Sequence, residues 1–255
     1  MQEDREYLKI NKVAEITLLF WLMKVIATTL GETLGDFFSM TLNLGYVAGI
    51  GITLLFFIIV LAVQLTSKEY IPVFYWMVII GTTTLGTEIS DFMDRTLHLG
   101  YAAGSLILFL FLIGTLAFWY KRFGNLNVYP IFEKNKEIFY WIAILFSNSL
   151  GTAFGDFLSD NLGFSYLEGA MVTAAIIMIV VTLHYLTKIN EIALFWIAFV
   201  FTRPFGATFG DFLTKPVSKG GFDLGTLPAS LVSIILMTLL IFLSHRKLKV
   251  VKIED

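Results

Sequence analysis

Residues 21–38 read WLMKVIATTLGETLGDFF, and the pattern returns three times: WMVIIGTTTLGTEISDFM at 76–93, WIAILFSNSLGTAFGDFL at 141–158 and WIAFVFTRPFGATFGDFL at 196–213. Each copy begins with a tryptophan (Trp21, Trp76, Trp141, Trp196) and reaches an aspartate fifteen residues later (Asp36, Asp91, Asp156, Asp211), followed by Phe. The offsets are 55, 65 and 55 residues, the extra ten falling in the polar stretch 121–137. A second pattern follows each copy. Gly45 to Gly49 (GYVAG) matches Gly100 to Gly104 (GYAAG) and Ser165 to Gly169 (SYLEG), with Gly225 to Ala229 (GTLPA) as the diverged fourth. Fixed-period self-similarity marks a repeat architecture. The units run over approximately 13–67, 68–122, 133–188 and 189–245 of a single domain, 1–255.

Composition says which solvent the repeats face. The 255 residues are 57% apolar and 15% charged, with mean hydropathy +0.79, against about 25% charged in an ordinary soluble domain. Eight apolar runs are long enough to cross a hydrocarbon core of roughly 20 residues: 14–38, 44–66, 71–94, 99–120, 138–159, 165–187, 192–213 and 225–244. The first is read as a span rather than a signal segment, because it is too long and carries Lys24, Glu32 and Asp36. The expected fold is therefore all-α: a polytopic membrane protein of eight transmembrane helices, built from four parallel two-helix repeats. Two spans per unit give every unit the same orientation, so the repeat axis runs along the membrane normal.

Basic residues set the expected orientation. Arg5, Lys9, Lys12, Lys68, Lys121, Arg122, Lys134, Lys136, Lys188, Arg246, Lys247, Lys249 and Lys252 fall on one side, and only Arg95, Lys215 and Lys219 on the other. Both termini and the 121–137 linker are then cytoplasmic. The net charge of −2 excludes a nucleic-acid binder, which needs clustered positive charge. The absence of Cys excludes disulfides and thiolate metal sites.

With four tandem units, two spans in each and one tryptophan per unit, the chain resembles a bacterial integral membrane-protein family of four tandem repeats of unknown function. The resemblance implies a multi-pass protein of the bacterial cytoplasmic (inner) membrane, with Trp21, Trp76, Trp141 and Trp196 as the characteristic tryptophans. It brings no substrate.

Small residues four apart recur in every unit: Gly31/Gly35, Gly86/Ser90, Gly151/Gly155 and Gly206/Gly210 on the odd spans, with Gly45/Gly49 and its equivalents on the even ones. Such steps let helix backbones approach closely in lipid. Polar residues share one face of each odd span at four-residue spacing. The columns are Asp36, Glu32, Thr28, Lys24; Asp91, Thr87, Thr83; Asp156, Thr152, Asn148; and Asp211, Ala207, Arg203, with Glu88 on an adjacent column. The simplest packing turns these faces inward and the even spans toward lipid. Charge at membrane depth costs at least about 2.5–3.5 kcal/mol per residue at the bilayer centre, so it pairs, is hydrated or works in transport. Six acids outnumber Lys24 and Arg203. Pro204 is expected to kink the fourth odd span.

These residues lead to a transporter with a carboxylate-lined path. Its ion path comprises Glu32, Asp36, Glu88, Asp91, Asp156, Asp211, Thr28, Thr87, Asn148 and Thr152, with Lys24 and Arg203 as counter-ions. Glu32, Asp36, Glu88 and Asp91 form the expected metal or proton site. An all-oxygen donor set suits hard cations such as Mg²⁺ or Mn²⁺. Two alternatives stay open: a proton-coupled carrier of a small organic solute, or a non-transporting scaffold or sensor in which the four Asp cap the following helices. His98, His184 and His245 are too far apart to form a cluster, and no nucleophile has a base at useful spacing, so the chain is not read as an enzyme. The expected partners are the lipid bilayer and a small cation or solute, with no cofactor.

Overall fold

The computed structural model describes residues 11–253, and side chains up to 244. Arg5 and Lys9 of the orientation argument lie outside the described residues. So do the side chains of His245, Arg246, Lys247, Lys249 and Lys252. Eight α-helices are found among the described residues: α1 (Leu18–Asp36), α2 (Gly45–Thr66), α3 (Pro72–Asp91), α4 (Tyr101–Phe123), α5 (Lys134–Asp156), α6 (Tyr166–Leu186), α7 (Glu191–Thr214) and α8 (Thr226–Ile253). Helices α4 and α5 cut into the polar stretch at 121–137, leaving only 124–133 between them. Seven helical segments are long and apolar enough to cross a membrane. The eighth helix, α3, is diluted by Thr82, Thr83, Thr84, Thr87, Glu88 and Asp91.

Local chemistry explains the helix boundaries. Thr17 caps α1, Pro72 opens α3, and Asn190 caps α7. In the first three repeats the odd helix passes from its Asp directly into a five-residue π turn: Phe37–Thr41, Phe92–Thr96 and Phe157–Asn161. A residue at positive φ then reverses the chain at equivalent positions, namely Asn43, His98, Gly163 and Asp223. His98 thus serves a turn. In the fourth repeat α7 stays α-helical to Thr214 and runs unbroken through Pro204. The proline does not break the helix as a discontinuous transport helix would be broken.

The odd helices α1, α3, α5 and α7 form a closed ring, each packed on the next and α7 on α1. Glycines make the approach possible. A Cβ on Gly31 would collide with Thr83, and one on Gly206 with Thr28; one on Gly151 would lie 2.5 Å from the Arg203 Cβ, and one on Gly86 would press on Asn148 and Ser149. Each contact pairs a glycine with the following odd helix at the same level, and the series closes on itself. Thr83 Oγ1 donates to the Ala27 carbonyl at 3.1 Å, and Thr28 Oγ1 to the Thr202 carbonyl at 3.2 Å, adding interhelical hydrogen bonds.

The even helices lie outside. The most apolar window is 61% buried in α1, α5 and α7, against 22% in α2, α4, α6 and α8. Leu55, Ile58, Leu110, Met178 and Ile235 are among their exposed residues. The packing is staggered. Each even helix docks on the odd helix of the next repeat (α2 on α3, α4 on α5, α6 on α7), and α8 docks on α1. The two helices of one repeat touch little beyond the turn between them, so the unit is not a self-packed hairpin. Most of its small-residue steps pack on the next unit, as Gly31 does on Thr83, Gly49 on Glu88 and Gly169 on Thr208; Gly104 packs on Asp94 of its own repeat.

At the tryptophan end the ring is filled by aromatics. Phe20 packs on Trp76, Tyr75 on Trp141, Trp119 on Trp196, and Phe195 on Trp21. Trp76 and Trp141 are buried, which makes them packing residues and not interface anchors.

Candidate functional site

Because the four odd helices share one register, equivalent residues form layers along the ring. Deepest is Lys24 on α1, fully buried. Its Nζ donates to Asn148 Oδ1 on α5 at 2.8 Å and lies 4.0 Å from the centroid of the Phe199 ring on α7. Asn148 Nδ2 in turn donates to Thr82 Oγ1 on α3 at 3.0 Å. All four odd helices thus meet in one polar knot. Lys24 is not the counter-ion expected of it. The acid on its own face, Glu32, lies two turns away and is taken by Arg203, so Lys24 is satisfied by an amide oxygen and an aromatic face.

One layer up, Arg203 on α7 reaches across the ring. Its Nη2 donates to Glu32 Oε2 on α1 at 2.8 Å and to Thr87 Oγ1 on α3, and Thr87 also approaches Glu32 at 3.3 Å. Arg203 and Glu32 thus form a buried ion pair. Arg203 Nε and Nη1 have no hydrogen-bond partner. Thr28 and Thr152 bond backbone carbonyls, of Val25 and Thr202 and of Asn148 respectively.

Above Glu32 stand the four aspartates, all buried. Lys215 Nζ lies 2.5 Å from Asp36 Oδ2 and 3.2 Å from Asp211 Oδ1. Arg95 lies 3.6 Å from Asp91 Oδ1 and 3.8 Å from Asp156 Oδ2, held by charge without a hydrogen bond to either. Each base joins its own repeat to the next, so the fourfold ring carries a twofold charge pattern. Burial works against the Lys215 ammonium, but Asp211 and Asp36 outweigh it and hold its pKa above the usual lysine range. Arg95 and Lys215 were counted above only as outer-loop residues. Their signal in the sequence was spacing, since both stand four residues after the repeat Asp, where the other two repeats have Met40 and Asp160.

The expected metal set is regrouped. Ligand atoms of Glu32, Asp36 and Asp211 lie within 4.8 Å of one another, drawn from α1 and α7. Asp91 belongs to the Arg95 half, with Asp156. Glu88 is outside the group because its column faces the docked even helix: its carboxylate lies against Gly49 of α2, where a glycine Cβ would sit 2.6 Å from both oxygens. Among the described residues, α2 and α4 begin at Leu44 and Gly100 without a side-chain cap, and α6 is capped by Ser165 in a reciprocal pair with Glu168 rather than by a repeat Asp.

A second buried polar group closes the tryptophan end. Glu137, in the first turn of α5, accepts from Lys12 Nζ at 2.5 Å, Gln64 Nε2 at 2.9 Å and Trp141 Nε1 at 3.4 Å. Lys12 also donates to the Leu65 carbonyl at 3.1 Å. Sequence reasoning assigned Lys12 to topology and Glu137 to the linker. Nothing in their spacing linked residues 125 positions apart.

The family model described as Repeat of Unknown Function (DUF347) matches residues 19–70, 74–124, 139–190 and 194–249, one match per repeat. No curated protein and no solved structure matches the chain.

Proposed function

The chain belongs to this repeat family, whose description names no activity, and from that premise we propose that it is a transporter of a hard cation in the bacterial inner membrane. All eight helices cross the bilayer, α3 included, because its polar residues face its ring neighbours and the α2 seam rather than lipid. Both termini are cytoplasmic, so the Asp layer opens outward.

One observation carries the reading: three buried carboxylates, Glu32, Asp36 and Asp211, stand within 4.8 Å of one another. Metal–oxygen bonds of about 2.0–2.6 Å put oxygens on opposite sides of an ion roughly 4–5 Å apart, so the spacing fits Mg²⁺, Mn²⁺ or Ca²⁺. Lys215 sits among these oxygens as a tethered cation that an arriving ion displaces. Arg95 does the same for Asp91 and Asp156. Below, Arg203 and Lys24 with the aromatic fill close the path, so the geometry corresponds to a state shut toward the cytoplasm.

The test is divalent-cation flux into proteoliposomes holding the purified protein, with Asp36→Asn and Asp211→Asn beside it. Both variants are expected to lose at least tenfold in rate while melting at or above the parent temperature. Unchanged flux in either would sink the reading.

A second reading, an organic-solute carrier, has two observations behind it. Arg203 has unpartnered N–H groups, and an apolar groove of about 460 Å³ between α4, α5 and α7 ends at Gly151 and Pro204 beside it. Thermal stabilisation by organic anions with none by divalent ions would favour that reading.

A further inference from the structure

Glu88 is a buried acid within an odd helix that the cation site leaves unused. It has no exposed surface, and neither carboxylate oxygen has a hydrogen-bond partner. Among the described residues no base is ion-paired with it. On its own helix and turn, Asp91 is held by Arg95, and Asp94 adds a further acid. On α1 the acids at this end, Glu32 and Asp36, are held by bases of their own. From α2, the sole ionisable residue is Tyr46, whose hydroxyl accepts from Arg95 at 3.3 Å. From α5, Asp156 is shared with Arg95. Arg203 and Lys215 are committed to Glu32 and to Asp36 and Asp211.

The other repeats show what this seam position ordinarily holds. The equivalents of Glu88 are Thr33, Ala153 and Thr208. Thr33 accepts or donates to Ser230 of α8 at 2.8 Å, and Thr208 packs on Gly169 of α6. Two seams are closed by small neutral side chains, and against α4 the Asp94 carboxyl, from the turn after α3, lies on Gly104. At this position of the odd helices themselves, only α3 carries a carboxyl group, and Gly49 leaves room for it. An ionised carboxylate without a partner in a low-dielectric seam is far too costly to persist. The group that fits is the neutral acid.

We propose that Glu88 is a proton-binding site that couples proton movement to the cation path. This rests on the transporter reading above. With the seam closed on Gly49, Glu88 holds its proton. When α2 separates from α3, water reaches the carboxyl, the proton leaves to that water, and the carboxylate is free to be reprotonated. Coupling follows from position. Glu88 is one residue from Thr87, which bonds both Arg203 and Glu32, so a shift of α3 that opens the seam also moves the cation layer.

Dicyclohexylcarbodiimide is the probe, because it attacks protonated carboxyl groups in apolar surroundings. Full-length protein in detergent is treated, digested and mapped by mass spectrometry. The expected result is a main adduct on Glu88 that declines as pH rises and is absent in Glu88→Gln. Adducts on Asp94, the other buried acid among the described residues with both oxygens unpartnered, with Glu88 unmodified would overturn the proposal. In proteoliposomes with a pH-sensitive dye inside, the ratio of protons moved to cations moved is expected to fall at least tenfold in Glu88→Gln. An unchanged ratio would also overturn it. Labelling needs no flux, so the two readings separate. A wild type that labels at Glu88 but moves no cation defeats the transporter and leaves the proton site standing. One that moves cations with Glu88 unlabelled does the reverse.

Discussion

At the tryptophan end one buried lysine meets one buried glutamate, and Gln64 and Trp141 supply further donors to the same carboxylate. At the aspartate end five buried acids, Asp36, Asp91, Asp156, Asp211 and Glu32, share three bases, and several of their oxygens have no hydrogen bond. Both groups sit in the same helix ring under the same desolvation cost. A cluster balanced in charge holds the chain together; an under-neutralised one is costly for the fold and, on the function proposed above, suited to binding positive charge. The contrast separates a closure from a site, and each prediction below tests one side of it.

The largest effect is expected on stability at the closure. Glu137→Gln leaves the Lys12 ammonium buried without its anion, and breaking a buried pair on one side costs about 3–5 kcal/mol. Thermal melting in detergent should fall by many degrees. The double variant Lys12→Met with Glu137→Met should recover part of the loss, since an apolar pair removes both desolvation costs while Trp141 Nε1 still loses its acceptor. If Glu137→Gln melts like the parent but changes flux, the tryptophan end is part of the site and the contrast fails.

Lys215→Met probes the other side, with a smaller effect. Removing the tethered cation leaves Asp36 and Asp211 facing each other with less neutralisation, so the protein without divalent ions should melt lower. The freed carboxylates should bind Mn²⁺ about tenfold more tightly, equivalent to about 1.4 kcal/mol, seen as a larger upward shift in melting on adding the ion. Lys12→Met should show no such gain in ion response. A Lys215→Met protein whose response to Mn²⁺ is no larger than the parent's would show that Lys215 does not compete for the site.

How far these roles were legible depends on how far each signal is local. The four copies of the Trp-to-Asp pattern made the helices, their parallel sense and their inward faces readable, because register repeats through the sequence. Arg203 could be placed opposite acids for the same reason. Partners set by packing between repeats could not. Glu88 and Thr87 are neighbours in sequence, but one faces the seam with α2 and the other the ring, a difference of one step around the helix. Arg95 and Lys215 read as loop charges because the π turn that folds Arg95 back toward the Asp layer has no clear composition signature. The docking of each even helix on the next repeat leaves no mark in spacing either.

The smallest expected effect is a control on the lipid face, and it fixes where the contrast resides. Gly51 on α2 and Gly114 on α4 have nothing within 4 Å of an added Cβ, whereas Gly31 and Gly206 would drive theirs into threonine side chains. Gly51→Ala and Gly114→Ala should therefore change melting by no more than about 1 kcal/mol, in the stabilising direction, because Ala is the better helix former. Flux should be unaffected. Gly31→Ala should lower both, since the ring must spread to admit the methyl group and Thr83 donates to the Ala27 carbonyl across that contact. The sign is the decisive point. A lipid-face alanine that lowers flux as much as Gly31→Ala would mean that cation movement depends on the outer helices as much as on the ring. The difference between the two ends would then be a property of the whole bundle rather than of the four equivalent helices that carry the charges.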